Sequence, residues 1–466
     1  MISRRTALIA GGAGVAVVGG GAGAIAVANR DKPEPPAPPS TKDGKVLWRN
    51  WSGIQHSYPT LRLAPKDEGE LAATVKTAPA PVRVVGAGHS FTGLVPTDGT
   101  LVTLDGMSGV TGWDGDRAIV LAGTRLGALG PALAEKGRAM ANLPDINKQS
   151  LGGALGTATH GAGRTLKAIH GDVTALTLVT ADGQVIEADA RRRPEVLSAA
   201  KVSLGAVGIV TRMTLETTAN RRLARRVWIE PLEQSLAEAE ARWAKHRNFE
   251  FYAVPFTGLA ANISHDETDA PATVRAPTQD DAFLDALKTL RNLLGFSNGM
   301  RKAAAQAMLG GLEPETAVDE GWKLLSTERP VRFNEMEYHL PAEVHLKVLA
   351  EVVALIEKHR KEVFFPIEAR RVAADDALLS PFQGGERGSI AVHAHYKDDH
   401  RLLFDLIEPV FLRNGGRPHW GKLHSLKAPQ LAGLYPRWGE FLDVRRELDP
   451  QGRLLNPYLK GIFGVG

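Results

Sequence analysis

No cysteine occurs anywhere in the chain, which excludes disulfides, a thiolate nucleophile and any cysteine-ligated zinc or iron–sulfur cluster. Stability must come from a buried core. Neither sign of charge is in excess: 56 Lys and Arg against 52 Asp and Glu leave +4, scattered along the sequence, which argues against a nucleic-acid surface and for small-molecule partners. There is no Gly-x-Ser-x-Gly elbow to suggest a hydrolase, no Gly-Lys-Ser/Thr to complete a phosphate loop, and no internal repeat. What is present, 466 residues at 43% hydrophobic and 23% charged, is enough for two globular domains.

The first 28 residues stand apart. Arg4 and Arg5 precede an apolar, glycine-rich stretch that ends in "AVA" before Asn29, the pattern of a twin-arginine export signal cleaved near Ala28. That reading implies the twin-arginine export machinery as a partner and a periplasmic or other extracytoplasmic destination. A retained membrane anchor is the alternative, because a span needs about 20 apolar residues. "GGGAGA" from Gly19 lacks the preceding strand of a dinucleotide fingerprint. Residues 29–46 are proline-rich and polar, as expected of an extended linker.

From residue 47 to 216 strands and helices alternate with glycine at nearly every connection, and Asp182-Gly183 marks a hairpin. From 217 to 412 longer helical stretches such as "LEQSLAEAEARWAKHR" alternate with strand-like "FEFYAVPF", "VRFNEMEYHL" and "GSIAVHAHY". This predicts an α+β domain, an antiparallel sheet with helices on one face. Residues 413–466 close the chain with the motif-rich "GGRPHWGKLHS" and an apolar end suited to docking.

Two loops carry the chemistry. In "VRVVGAGHSFTG", residues 82–93, a β-branched run ends in Gly86 and Gly88 and then presents His89 and Ser90. Glycine tolerates positive φ and lets a backbone approach a ligand closely. "NLPDINKQSLGGALGTATHGAG", residues 142–163, is rich in glycine and hydroxyls, and its amides can cradle a pyrophosphate. The two read as walls of one nucleotide site. Phe91 stands where a Rossmann fingerprint wants a small residue, so this is another kind of fold.

The order "GAGHS", "QSLGGALGTATHG", "SLGAVGIVTRMTL", then "FPIEARRVAADDALLSP", "IAVHAHY" and "RPHWGK", resembles the aldonolactone oxidase branch of the vanillyl-alcohol oxidase superfamily over residues 47–462. That resemblance implies an α+β architecture of an FAD-binding domain and a cap domain over the substrate, with residues 413–466 completing the site. It implies FAD, attached through His89 to the flavin 8α carbon. With no cysteine, the double attachment of some relatives is excluded. By motif position the flavin side comprises Gly86, Gly88, His89, Ser90, Pro144, Asp145, Ser150, Gly153, Thr157, His160 and Ile209, with Pro144 and Asp145 beside the flavin where oxygen access is influenced.

On the substrate side the same resemblance assigns catalytic roles to Glu368, Arg370, His393 and Lys422, and places Glu335 and His395 in the pocket. Glu368 and Arg370, two apart on a strand, share a face. His393 is the expected base for a hydroxyl proton as hydride leaves for flavin N5. No metal is expected. The implied activity is oxidation of a sugar-acid lactone of the L-gulono- or D-arabinono-1,4-lactone type, with reoxidation by O2 or an electron acceptor. The alternatives are alditol oxidation on the same fold and, from another class, a binding protein that retains the fold without turnover.

Overall fold

The computed structural model describes residues 33–273, 280–326 and 331–465; the expected export signal, residues 1–28, lies outside these. The proline-rich stretch departs from the expected extended linker. Tyr58 Oη donates to Pro39 O at 2.8 Å, and Glu34 pairs with Arg332, so residues 33–39 lie along the body.

The first half is built on two larger sheets, beside short two-stranded pairings. Strands β1 (Leu61–Leu63), β2 (Val82–Val85) and β3 (Thr100–Thr103), with helix α1 (Glu68–Val75) between β1 and β2, form a parallel sheet of order β1-β3-β2. Parallel strands need crossovers, which α1 and the 86–99 loop provide. Next come β4 (Val110–Asp114), β5 (Arg117–Leu121), α2 (Leu126–Ala134), α3 (Leu151–Gly156), β6 (Val173–Val179), β7 (Val185–Asp189), α4 (Pro194–Lys201) and β8 (Ile209–Leu215). Their strands form an antiparallel sheet of order β7-β6-β8-β5-β4. Gly183, at φ +85°, makes the expected hairpin between β6 and β7.

The second half is built on one antiparallel sheet. Its elements are β9 (Arg222–Pro231), α5 (Leu232–Lys245), β10 (Asn248–Val254), β11 (Leu259–Thr268), α6 (Asp280–Leu294), α7 (Asn298–Leu309), β12 (Glu315–Glu320), β13 (Phe333–Pro341), α8 (His345–His359), β14 (Ile367–Val372), β15 (Arg387–His395), α9 (Arg401–Arg413) and β16 (Arg417–Pro418). The strand order is β12-β9-β11-β10-β14-β15-β13-β16. Alternation sorts the side chains. Phe249, Phe251, Ala369, Ile390, Val392, Met336, Tyr338 and Leu340 are buried on one face, where Trp243 of α5 packs on Phe249 and Phe251. The intervening positions, Glu250, Tyr252, Glu368, Arg370, His393, Glu335, Glu337 and His339, therefore share the opposite face.

Two connections hold that polar face against the first half. Loops 141–145 and 157–163 are pinned to the sheet: Gly163 N donates to Arg371 O at 2.8 Å, Asn248 Nδ2 to Ala162 O at 2.5 Å and Arg247 Nη2 to Ala141 O at 2.5 Å. The "HWGK" segment is threaded between the halves. His419 N and Leu423 N donate to Glu337 O and Glu335 O of β13, while Gly421 O accepts from Phe91 N at 2.8 Å. Helices α10 (Ala428–Leu434), α11 (Trp438–Leu448) and α12 (Pro457–Phe463) then return to the first half, where Asn456 Nδ2 donates to Gly93 O and Pro96 O.

Gly123 sits where two segments nearly touch: a Cβ there would lie 1.9 Å from Leu104 O and 2.7 Å from Met107 O, both backbone atoms. Gly123→Ala is expected to destabilise the protein by about 3 kcal/mol, the upper range for overpacking. Urea unfolding checks this, and an unchanged midpoint would refute the close approach.

Candidate functional site

Strand β2 ends in the loop 86–90, which faces the N-terminal turn of α3 across a cleft. Gly86, Gly88, His89, Ser90, Ser150, Gly153, Thr157 and Ile209 all line it, together with Trp48, Gly152, Leu204 and Gly205. Its empty space is about 1080 Å³, the mouth included. The two walls tolerate no added side chain between them: a Cβ on Gly86 would lie 2.0 Å from Ser150 Oγ. Gly88 holds φ +69°, a conformation that costs other residues energy. Small side chains, backbone amides and the Ser150 hydroxyl, which accepts from Gly153 N, suit the diphosphate of an FAD. The donor set fits that group.

His89 stacks on Trp51 with ring centroids 5.2 Å apart. Burial, and then the nearby charges of Lys422, Arg125 and Lys148, push its pKa down to about 4. At neutral pH it is therefore a neutral imidazole, the nucleophilic form. Trp51 in turn meets Phe333 at 5.2 Å, and Phe333 meets His393 at 4.9 Å. A short aromatic chain thus links the glycine loop to the polar sheet face.

Three further candidates, His160, Asp145 and Pro144, do not line this cleft. His160 is outside the cleft lining and lies against the sheet, its Nε2 3.0 Å from Glu337 Oε1. Asp145 also faces the sheet, 3.9 Å from Arg370 Nη1 and 3.4 Å from Tyr252 Oη. Pro144 is buried, its carbonyl accepting from Ser326 Oγ at 2.6 Å. The physical reason is the pinning of both loops to β10 and β14, which turns these side chains away from the cleft.

On the sheet face, Arg370 is the centre. Its Nη2 donates to Glu337 at 2.8 Å and pairs with Glu368 at 3.1 Å. The reach is possible because the strand between them, β15, presents only Ala391 and Ser389 at the opposed positions. Tyr252 Oη donates to Glu368 Oε1 at 2.6 Å. A second set lies further along: Lys422 Nζ pairs with Glu335, and Glu335 Oε1 is 3.7 Å from His393 Nε2. His393 Nδ1 is 3.3 Å from Pro366 O. With that nitrogen donating to the carbonyl, Nε2 is the basic one. His395, half-buried and two residues along the same strand from His393, sets its ring against Phe364, Phe365 and Tyr396.

Electrostatics separate the two carboxyls on Arg370. Burial would raise Glu337, but Arg370 and His160 outweigh it and hold it well below the usual range. Burial, reinforced by the carboxylates of Asp145, Glu250 and Glu337, pushes Glu368 well above that range despite Arg370. Glu337 is held toward the ionised form and Glu368 toward the protonated one. Glu337, Tyr252, His339 and His419 were missed in the sequence. Alternation with Glu335 was the available signal for Glu337; for the others none existed. His160, Glu337 and His339 bring one ligand atom each within 4.8 Å, as do Asp145, Glu250 and Glu368. Arg370 is the cation that serves both groups.

The sign for Glu368 is definite. An acid whose folded pKa is raised costs stability as pH rises from about 4.5, its unfolded value, toward the folded one. Glu368→Gln is expected to be at least as stable as the parent at pH 7, with the advantage vanishing near pH 4.5. Arg370→Gln, which strands buried carboxylates, is expected to lose roughly 3–5 kcal/mol. Denaturant titrations at the two pH values check both, and a Glu368→Gln protein weaker at pH 7 than at pH 4.5, relative to the parent, would refute the assignment.

Residues 213–462 match the family profile described as D-arabinono-1,4-lactone oxidase, and residues 59–189 match an FAD binding domain. The chain is 33% identical to L-gulono-1,4-lactone dehydrogenase of Mycobacterium tuberculosis over 427 residues, 90% of this chain and 99% of that one. It is 29% identical to mouse L-gulonolactone oxidase, over 90% and 98% of the two chains, and 27% identical to an alditol oxidase of Streptomyces, over 89% and 98%. A solvent-stable cholesterol oxidase shares the fold with a TM-score of 0.76 at 18% identity, covering 90% of this chain and 97% of that one. With its glycine-walled cleft and charged sheet face, the chain belongs to the D-arabinono-1,4-lactone oxidase family of FAD-dependent oxidoreductases that act on CH–OH groups.

Proposed function

We propose that this protein oxidises a secondary alcohol of a sugar-acid lactone, of the L-gulono- or D-arabinono-1,4-lactone type, to a ketone. The observation that carries the reading is the convergence of the His89 cleft and the charged sheet face on the Trp51–Phe333–His393 aromatic chain. FAD, held by residues 86–90, 150–157 and 209, supplies the hydride acceptor when bound, and His89 is its proposed point of covalent attachment. The chain's own residues do the rest. His393 Nε2 takes the hydroxyl proton, and Glu335, 3.7 Å away, stabilises the resulting imidazolium. Arg370 binds lactone oxygens by charge, and Glu368 fixes a sugar hydroxyl or orients its neighbours. The electron acceptor is O2 or an electron-transfer partner, and the leader is proposed to export the folded protein by the twin-arginine route.

His393→Ala is expected to slow flavin reduction about 10²–10⁴-fold, the range for losing a general base, with substrate binding far less affected; stopped-flow measurement with a panel of lactones and polyols checks this. An unchanged rate removes His393 from the role, and faster reduction by polyols would move the substrate class to the alditols, in keeping with the Streptomyces relative. For the attachment, flavin should remain with the acid-denatured parent and leave His89→Ala; flavin released from both would refute it.

A further inference from the structure

We infer that Glu337 and His160 are positioning residues for Arg370, a clamp that joins the flavin-side half of the molecule to the substrate face. The inference deepens the proposed function and rests on it for the identity of the substrate. Arg370 touches the pocket; Glu337 and His160 act through it.

The geometry is continuous. His160 stands on the 157–163 loop, whose Thr157 lines the cleft. Its Nδ1 is 3.0 Å from Gly161 O, and its Nε2 lies 3.0 Å from Glu337 Oε1 as a close contact rather than an aligned hydrogen bond. The same carboxylate oxygen receives Arg370 Nη2 at 2.8 Å. Side chains of His160 and Glu337 are each only 1% exposed, so this linkage is not screened by solvent, and each link acts at low local dielectric. The loop cannot drift, because Gly161 lies so close to Leu143 O that a Cβ would come within 2.2 Å. Leu143 precedes Pro144 and Asp145, and Asp145 faces the other terminal nitrogen of Arg370. One rigid contact between two loops therefore sets both sides of the guanidinium.

The clamp also decides how Arg370 is shared. Held by Glu337 at 2.8 Å, it is shared with Glu368 at 3.1 Å. The groups facing this cluster are His160 and Asp145 from the flavin-side loops, Glu250 from β10, Glu368 from β14, His339 from β13 and His419 from the "HWGK" segment. With the Glu337 charge removed, Arg370 is left to Glu368 and Asp145, and Glu368 ionises at lower pH.

The test uses the flavin-loaded protein with Glu337→Gln, His160→Gln and the double variant. The expected result is an approximately 100-fold slower reduction of the flavin by lactone in Glu337→Gln, the size of effect that follows a displacement of about 1 Å. The alkaline limb of its pH profile should move to lower pH. The double variant should be no slower than the slower single, as for two members of one unit. A crystal structure of Glu337→Gln should show the Arg370 guanidinium shifted toward Glu368. Arg370 in its original place with a parental pH profile, or additive losses in the double variant, would overturn the inference. If no lactone or polyol reduces the parent's flavin, the proposed substrate class fails while the crystal structure of the variant still decides the clamp. His160→Gln supplies the same readouts if Glu337→Gln does not fold.

Discussion

A single buried guanidinium organises the substrate face. Removing Arg370 from water carries a penalty of several kcal/mol, and only close, well-oriented carboxylates offset it. Glu337 and Glu368 supply them at 2.8 and 3.1 Å. The rest of the sheet accommodates that demand. Ala391 and Ser389 are small so that the guanidinium can cross β15, Tyr252 occupies the far oxygen of Glu368, and His160 reaches over from the other half to Glu337. Because one cation serves several carboxyls, their ionisation is coupled, and Glu368 is pushed toward its protonated form. Proton inventory here follows from counting charges.

The parts of this arrangement that repeat along the chain were legible in the sequence. Glycine loops around His89, the two-residue spacing of Glu368 and Arg370, and the alternation that makes β13, β14 and β15 strands are local patterns, and each is present where expected. Register between distant strands is not local. Nothing in "FEFYAVPF" announces that Tyr252 stands opposite Glu368, more than a hundred positions later. His160 illustrates the other limit. Its glycine-rich surroundings resemble a flavin-binding turn, and Thr157 does line the cleft, but hydrogen bonds from Asn248 and to Arg371 rotate the end of the loop onto the sheet. Glu337 was within reach, since alternation from Glu335 places it on the same face; its importance lies in the partner it meets.

The proline-rich stretch shows how composition misleads in a different way. Proline disfavours helix and sheet, which is compatible with a spacer, yet the same preformed extended backbone loses little entropy on docking. Glu34 with Arg332 and Tyr58 with Pro39 are sufficient to lay it along the body.

The threading of residues 417–423 between β13 and the 89–92 loop has a temporal consequence. These residues lie some 330 positions after His89, and Lys422, the partner of Glu335, is among them. A ribosome delivers them after all the longer strands of both halves, so a nascent protein can build those sheets while the wall between them is still open. The site closes only once these residues are in place, and its loop-closure entropy is met by hydrogen bonds from Leu423, His419 and Phe91 made at that moment. Completion of the charged pocket therefore waits on residues 417–423.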